Sequence, residues 1–136
     1  MNIYVAASIR GGTFSGSQSA LEIIQTVGRE RGHTIISQHS AVTGLAEILP
    51  DPQLYRRDME WLAQSQFLIA EISAPSIGVG YEICQALGLE LPVLCVCHSA
   101  MPLSAIISGN PSIETKIYTD HARLRNIVNK FLERHE

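Results

Sequence analysis

The sequence predicts an α/β domain built as a doubly wound parallel sheet, and three observations lead to that class. Apolar runs of strand length recur five times along the 136 residues. Between consecutive runs the apolar residues take up the 3.6-residue period of a helix, and that alternation is the pattern of a parallel sheet with helical crossovers. Polar and glycine-rich residues then collect just past the ends of the runs, where an open parallel sheet binds its ligands.

The elements follow in order. Ile3-Tyr4-Val5-Ala6 opens a strand near 2–7. A helix near 18–31 carries the stripe Ala20, Ile23, Ile24 and Val27, with Ser19-x-x-Glu22 reading as a capping box. A short strand is expected near 34–37. A helix near 52–65 opens with Asp51 as N-cap and Pro52 at the first helical position. Phe67-Leu68-Ile69-Ala70 is an unbroken apolar run and predicts a buried central strand near 67–72. A helix near 80–90, a strand near 92–97, a short helix near 103–108 and a strand near 114–118 come next. The last helix, about 121–134, shows Leu124, Ile127, Val128, Phe131 and Leu132 at i, i+3, i+4, i+7 and i+8, with Asp120 placed to cap it. Without repeats or linkers, 1–136 reads as one domain of Rossmann-like or flavodoxin-like winding, with five parallel strands.

Composition narrows the function. At 46% hydrophobic the chain has enough apolar material for its own core. A net charge of −3 with no basic run offers no footprint for a nucleic-acid polymer or an anionic membrane. No apolar segment approaches the roughly 20 residues that span a bilayer, and with no basic n-region or cleavage site ahead of Ile3-Tyr4-Val5-Ala6 a secreted product is not expected. Three cysteines fit a reducing compartment, so a cytoplasmic protein is expected. Cys95-Val96-Cys97-His98 could suggest a metal, but without a second ligand cluster it reads as one face of a buried strand; no metal and no organic cofactor is expected.

The most informative segment is Ala74-Pro75-Ser76-Ile77-Gly78-Val79-Gly80-Tyr81-Glu82. Strand, Gly/Ser/Pro turn and helix N-terminus form an anion site, with unsatisfied N–H groups and a dipole that favours negative charge. Glu82 is expected in the first turn of that helix, held ionised by the dipole and ready to act as nucleophile or base. Gly11-Gly12 and Gly78/Gly80 would let backbone approach a ligand closely. Asp58 shares a helix face with Tyr55, Met59 and Leu62, which should pack inward. It is either a second functional carboxylate or the partner of Arg56, Arg57 or a nearby loop. Glu71, ending the third strand, is a further candidate carboxylate, read rather as a structural hydrogen-bond acceptor near the site. Tyr4 is a core residue or a group that orients a nucleophile. Two carboxylates in one cleft are the minimum for cleaving a glycosidic bond.

Tyr4, Ser8-Ile9-Arg10-Gly11-Gly12, Arg57-Asp58-Met59-Glu60-Trp61-Leu62 and Pro75-Ser76-Ile77-Gly78-Val79-Gly80-Tyr81-Glu82 together resemble the 2′-deoxynucleoside 5′-monophosphate N-glycosidases. These are the hydrolytic branch of the nucleoside 2-deoxyribosyltransferase superfamily. The resemblance runs from Tyr4 to about Ser108. It implies Glu82 as the nucleophile at C1′, Asp58 as the group managing the proton of the departing base, and Tyr4 as the positioner of Glu82. It also implies a 5′-phosphate site made by Ser8, Ile9, Arg10, Gly11, Gly12, Ser76 and Gly78, completed by Ser104 of a neighbouring subunit in a homodimer with shared active sites. The alternatives are a nucleoside 2-deoxyribosyltransferase, and a non-catalytic module that binds a nucleotide. Arg10, Ser8 and Ser104 suit a phosphate dianion better than a free 5′-hydroxyl.

Overall fold

The computed structural model of the chain describes residues 1–8, 16–37 and 49–136. The expected elements appear in the expected order: β1 (Asn2–Ala7), α1 (Ser17–Glu30), β2 (Thr34–Ile36), α2 (Asp51–Ala63), β3 (Phe67–Glu71), α3 (Ile77–Gly88), β4 (Val93–His98), α4 (Ala105–Ser108), β5 (Ile113–Tyr118) and α5 (His121–His135). The sheet is all parallel in the order β2-β1-β3-β4-β5. The chain winds outward from β1 to β2, then crosses back to β3 on the other side of β1. The β1/β3 boundary is therefore the switch point, and the crevice beyond the carboxyl ends of these two strands is the place for a ligand.

Alternation along the strands divides the core into two layers. Ile3, Val5, Phe67, Ile69, Leu94 and Val96 face α1 and α5, where they meet Ile24, Val27, Leu124, Val128 and Phe131. Tyr4, Ala6, Leu68, Ala70, Val93 and Cys95 face the other way, against Leu62 of α2 and Val79, Ile83 and Ala86 of α3. β3 is buried at every position, as its unbroken apolar run requires of a central strand.

The helix ends correct several expectations. α1 begins at Ser17 behind Gly16, with no side-chain cap, and the Ser19 hydroxyl donates to the Gly16 carbonyl at 3.0 Å. Ser19 thus lies inside the first turn, and Ser19-x-x-Glu22 is not a capping box. Pro50, not Asp51, is the N-cap of α2, so Asp51 and Pro52 occupy its first two positions. Asp120 caps α5 as expected, accepting from the Arg123 N–H at 2.7 Å. α1 ends in a left-handed residue, Gly32 at φ +83, with the His33 N–H bonded to the Gly28 carbonyl and the Gly32 N–H to Arg29. α3 ends in the same double-bonded turn, but Glu90 holds the left-handed position at φ 59.

Candidate active site

Three side chains from three elements meet on the α2/α3 side of the β1/β3 boundary. Tyr4 points from the middle of β1 into this layer and is 1% exposed. Its hydroxyl donates to Glu82 Oε1 at 3.1 Å, within the protein interior. Asp58, on the inward face of α2, lies near enough for its charge to act on Glu82. Both carboxylates are buried, Asp58 at 6% and Glu82 at 9% exposed.

Their electrostatics differ from the expectation. α3 starts at Ile77, so Glu82 is its sixth residue, beyond the first turn where the dipole acts most strongly. Burial pushes the Glu82 carboxyl up from 4.5 to about 7; the Tyr4 hydrogen bond opposes that rise and the Asp58 charge adds to it. The helix dipole therefore does not hold Glu82 firmly ionised. Burial also raises Asp58, against the lowering effect of Arg57. The Arg57 guanidinium donates to Asp58 Oδ1 from Nε and lies 3.1 Å from it through Nη2, while its face packs 4.3 Å from the centre of the Trp61 ring. Asp58 therefore pairs with Arg57, as one of its two readings expects, and its charge also acts on Glu82. The Trp61 clamp was not part of the sequence reading, although Arg57 and Trp61 stand at i, i+4 spacing, which puts them on one helix face.

The N-terminus of α3 forms the rim of this group. Ser76 is the N-cap, and its hydroxyl accepts from the Val79 N–H at 3.3 Å. The N–H groups of Ile77 and Gly78 precede the first residues that can bond within the helix. Gly78 and Gly80 are both exposed helical residues, and a Cβ at Gly78 would meet only the Ser76 hydroxyl, at 3.9 Å. Neither glycine answers to crowding among the described residues; they leave two positions of the first turn without a side chain, on either side of the buried Val79 and next to the exposed Ile77.

Ser8 directly follows β1 at the same crevice and is half-buried. Ile9, Arg10, Gly11 and Gly12 lie outside the described residues, as do Gln38, His39 and the stretch 40–48. Ser104 is the exposed N-cap residue of α4, and its side chain makes no capping bond. Glu71 faces the α1/α5 layer, opposite Tyr4 and Glu82, and accepts from Ser73, Tyr118 and Ser17. It is the hydrogen-bond acceptor expected and lies away from the carboxylate pair. Cys95 and Cys97 are buried on β4 as expected, whereas Cys84 is exposed on α3. Among the described residues no group of three His, Cys, Asp or Glu side chains could hold a metal ion. Nor is any helix among them long and apolar enough to cross a membrane.

Comparison with known proteins places this geometry in a family. No protein-family model matches the chain. A Methanococcoides burtonii protein named as a candidate 2′-deoxynucleoside 5′-phosphate N-hydrolase is 40% identical over 113 residues, spanning 81% of this chain and 91% of its own length. A Methanosarcina barkeri protein of the same name is 36% identical over 140 residues, spanning 96% and 84%. The Danio rerio 5-hydroxymethyl-dUMP N-hydrolase is 30% identical over 144 residues, spanning 98% and 96%. Among solved structures, a Clostridium botulinum CMP N-glycosidase matches with a TM-score of 0.70 at 14% identity, over 93% of this chain and 98% of that one. A 2-deoxyribosyltransferase from Bacillus psychrosaccharolyticus matches with a TM-score of 0.69 at 16% identity, over 93% and 91%. At such low identity these two structures speak for the fold, while the sequence relatives decide the family: the chain belongs to the 2′-deoxynucleoside 5′-phosphate N-hydrolases.

Proposed function

We propose that the protein hydrolyses the N-glycosidic bond of 2′-deoxynucleoside 5′-monophosphates, releasing the free base and 2-deoxyribose 5-phosphate. The observation that carries this reading is the buried Tyr4–Glu82 hydrogen bond, with Asp58 alongside and Glu82 on the helix whose N-terminus carries Gly78 and Gly80. Glu82 attacks C1′ as the bond from C1′ to the base nitrogen breaks, and Asp58 gives its proton to the departing base. The product of that step is a deoxyribosyl ester on Glu82. Asp58, now a carboxylate, takes a proton from water; the water oxygen bonds to C1′ and the ester opens, restoring both groups. This is retaining-glycosidase logic applied to an N-glycoside, and it needs two carboxylates in different protonation states.

The surroundings suit those roles. Tyr4 stabilises the anionic form of Glu82, which the attack requires. Arg57 occupies Asp58 Oδ1 and so fixes the plane of the carboxyl group. In this reading Ser8, Ile9, Arg10, Gly11, Gly12, Ser76 and Gly78 supply the 5′-phosphate site. The protein acts in this reading as a homodimer in which Ser104 of each chain reaches the partner's phosphate site. Ile77 and Ile106, 95% and 85% exposed in the single chain, are apolar surface that such an assembly would cover.

The test is a panel of nucleosides and their 5′-monophosphates, with and without an acceptor base, with products separated by chromatography. Free base and sugar phosphate from the monophosphates are expected. A charge-assisted hydrogen bond contributes about 1.5–3 kcal/mol, so loss of two should slow the nucleosides on the order of a hundredfold or more. Equal rates on nucleosides and nucleotides, or products that appear only with an acceptor base, would replace this reading with deoxyribosyl transfer. Binding without turnover on any substrate would leave a nucleotide-binding module.

A further inference from the structure

Arg57 and Asp58 are consecutive on α2, so their side chains leave the helix about 100° apart and do not face each other. An arginine in that place ordinarily extends into water, away from its neighbour's carboxylate. Here the guanidinium curls back round the helix. Its Nε donates to Asp58 Oδ1 at 3.1 Å, its Nη2 lies 3.1 Å from the same oxygen, and the side chain is only 23% exposed. Trp61, one turn further along α2, accounts for the detour: its ring lies under the guanidinium, with the Arg57 Cζ 4.3 Å from the ring centre. The indole is itself held in place, partly buried against the core layer between the sheet and α2 and α3.

This arrangement bears on one step of the reaction. As the bond from C1′ to the base nitrogen breaks, its electron pair stays with the base, and the Asp58 proton moves onto the base. A carboxylate is left in a buried place, where an uncompensated charge is costly. Burial raises the Asp58 carboxyl and Arg57 lowers it, so Arg57 favours the anion that proton delivery creates. A guanidinium bonds a carboxylate oxygen more strongly than a neutral acid. Its help therefore grows as the proton departs, and it lowers the barrier to that step.

We propose that Trp61 and Arg57 form a positioning device for Asp58: the indole keeps the guanidinium on the carboxyl oxygen, and that contact sets how poor a leaving base the protein can release. The inference rests on the role given to Asp58 in the proposed function, and Asp58→Asn tests that role by itself. A wild type that cleaves no nucleotide rejects the proposed function, and an undiminished rate in Asp58→Asn rejects the role of Asp58. A loss in Asp58→Asn that no Arg57 or Trp61 variant shares rejects the device alone.

The experiment measures kcat and KM for Arg57→Gln, Arg57→Lys, Trp61→Leu and Trp61→Phe on two substrates. One is a 2′-deoxynucleoside 5′-monophosphate that the protein cleaves. The other carries an electron-withdrawing substituent on the same base, which then leaves readily without a proton. Arg57→Gln should lower kcat on the first roughly 10- to 100-fold, a part of the 10²–10⁴-fold that proton transfer supplies, and far less on the second, with KM nearly constant. Arg57→Lys keeps the charge without the planar fork and should recover only part of the loss. Trp61→Leu should show the same dependence on the base at roughly 3- to 10-fold, and Trp61→Phe, which keeps a ring, a smaller loss. Because Trp61 acts through Arg57, adding Trp61→Leu to Arg57→Gln should cost nothing further. Should Trp61→Leu fail to fold, Trp61→Phe takes its place in the same cycle. Equal losses on the two substrates, or losses that add in the double variant, would overturn the proposal.

Discussion

The Tyr4 hydroxyl donates to Glu82 Oε1 at 3.1 Å, joining residues 78 positions apart in the protein interior. It ties the middle of a central strand to the second turn of α3 and opposes the burial that raises the Glu82 carboxyl. A hydrogen bond to a charged group is worth about 1.5–3 kcal/mol, so this one contact carries much of the ionised form.

Tyr4→Phe removes that support and keeps the ring. Activity that depends on ionised Glu82 should rise with pH through about 7 in the wild-type protein. In Tyr4→Phe the rise should move upward by roughly one to two pH units. The pH dependence of kcat/KM on one substrate checks this, and an unmoved profile would show that the hydroxyl does not tune the nucleophile.

Stability should respond to the same group. Glu82 keeps its proton in the folded protein up to about 7, whereas its ordinary value is 4.5. Between these values the folded state binds more protons than the unfolded state, so the contribution of Glu82 to stability is fully present below 4.5 and is lost as pH rises through about 7. Glu82→Gln should therefore raise the melting temperature at pH 8 relative to the wild type, by a free energy on the order of 2–3 kcal/mol, with a much smaller gain at pH 4.5. Thermal unfolding at the two pH values measures it, and equal effects at both would contradict a raised Glu82.

The two carboxylates should fail differently. Glu82→Ala should reduce turnover to background while the protein still binds substrate. Asp58→Asn should lose the proton-transfer factor, typically 10²–10⁴-fold, and lose less with bases that are good leaving groups. Mass spectrometry after reaction with a slow 2′-fluoro analogue should find the sugar on a peptide containing Glu82. An adduct on Asp58 would reverse the roles.

A shared site predicts complementation. Ser104→Arg should block the partner's pocket, and Glu82→Ala lacks the nucleophile, so each variant alone should be inactive. Mixed in equal amounts with subunit exchange, they should recover about a quarter of wild-type activity, because half the dimers are hybrids with one intact site each. A protein that sediments as a monomer while fully active would exclude the shared site.

The two left-handed helix ends give a stability test remote from the site. Gly32 and Glu90 occupy equivalent positions after α1 and α3, at φ +83 and φ 59. A side chain in this conformation costs roughly 1–2 kcal/mol. Gly32→Ala should destabilise by about 1 kcal/mol, and Glu90→Gly should stabilise by up to a similar amount. Denaturant unfolding of both variants checks the pair; a destabilised Glu90→Gly would mean that the Glu90 side chain contributes more than its backbone costs.

Apolar period and turn chemistry by themselves determined the element order, the parallel class and the buried central strand, because these depend on neighbours within a few residues. The same residues marked the crevice, since Ser8, Ser76 and Gly78 stand at the carboxyl ends of strands whatever the packing. Local spacing misled at the helix starts: Ser19 and Asp51 look like caps, yet Gly16 and Pro50 hold those positions because the chain enters each helix earlier. Glu90 ends α3 in a conformation usually given to glycine, with no local sign of it. The state of Glu82 was beyond any local reading. The dipole of a first turn predicts it ionised, whereas its proton affinity is set by burial, by a tyrosine 78 residues away and by Asp58 on another helix. Only the tertiary structure decided that Asp58 joins Glu82 while Glu71 turns to the opposite layer, because which carboxylates share a low-dielectric space depends on which sheet face each side chain enters.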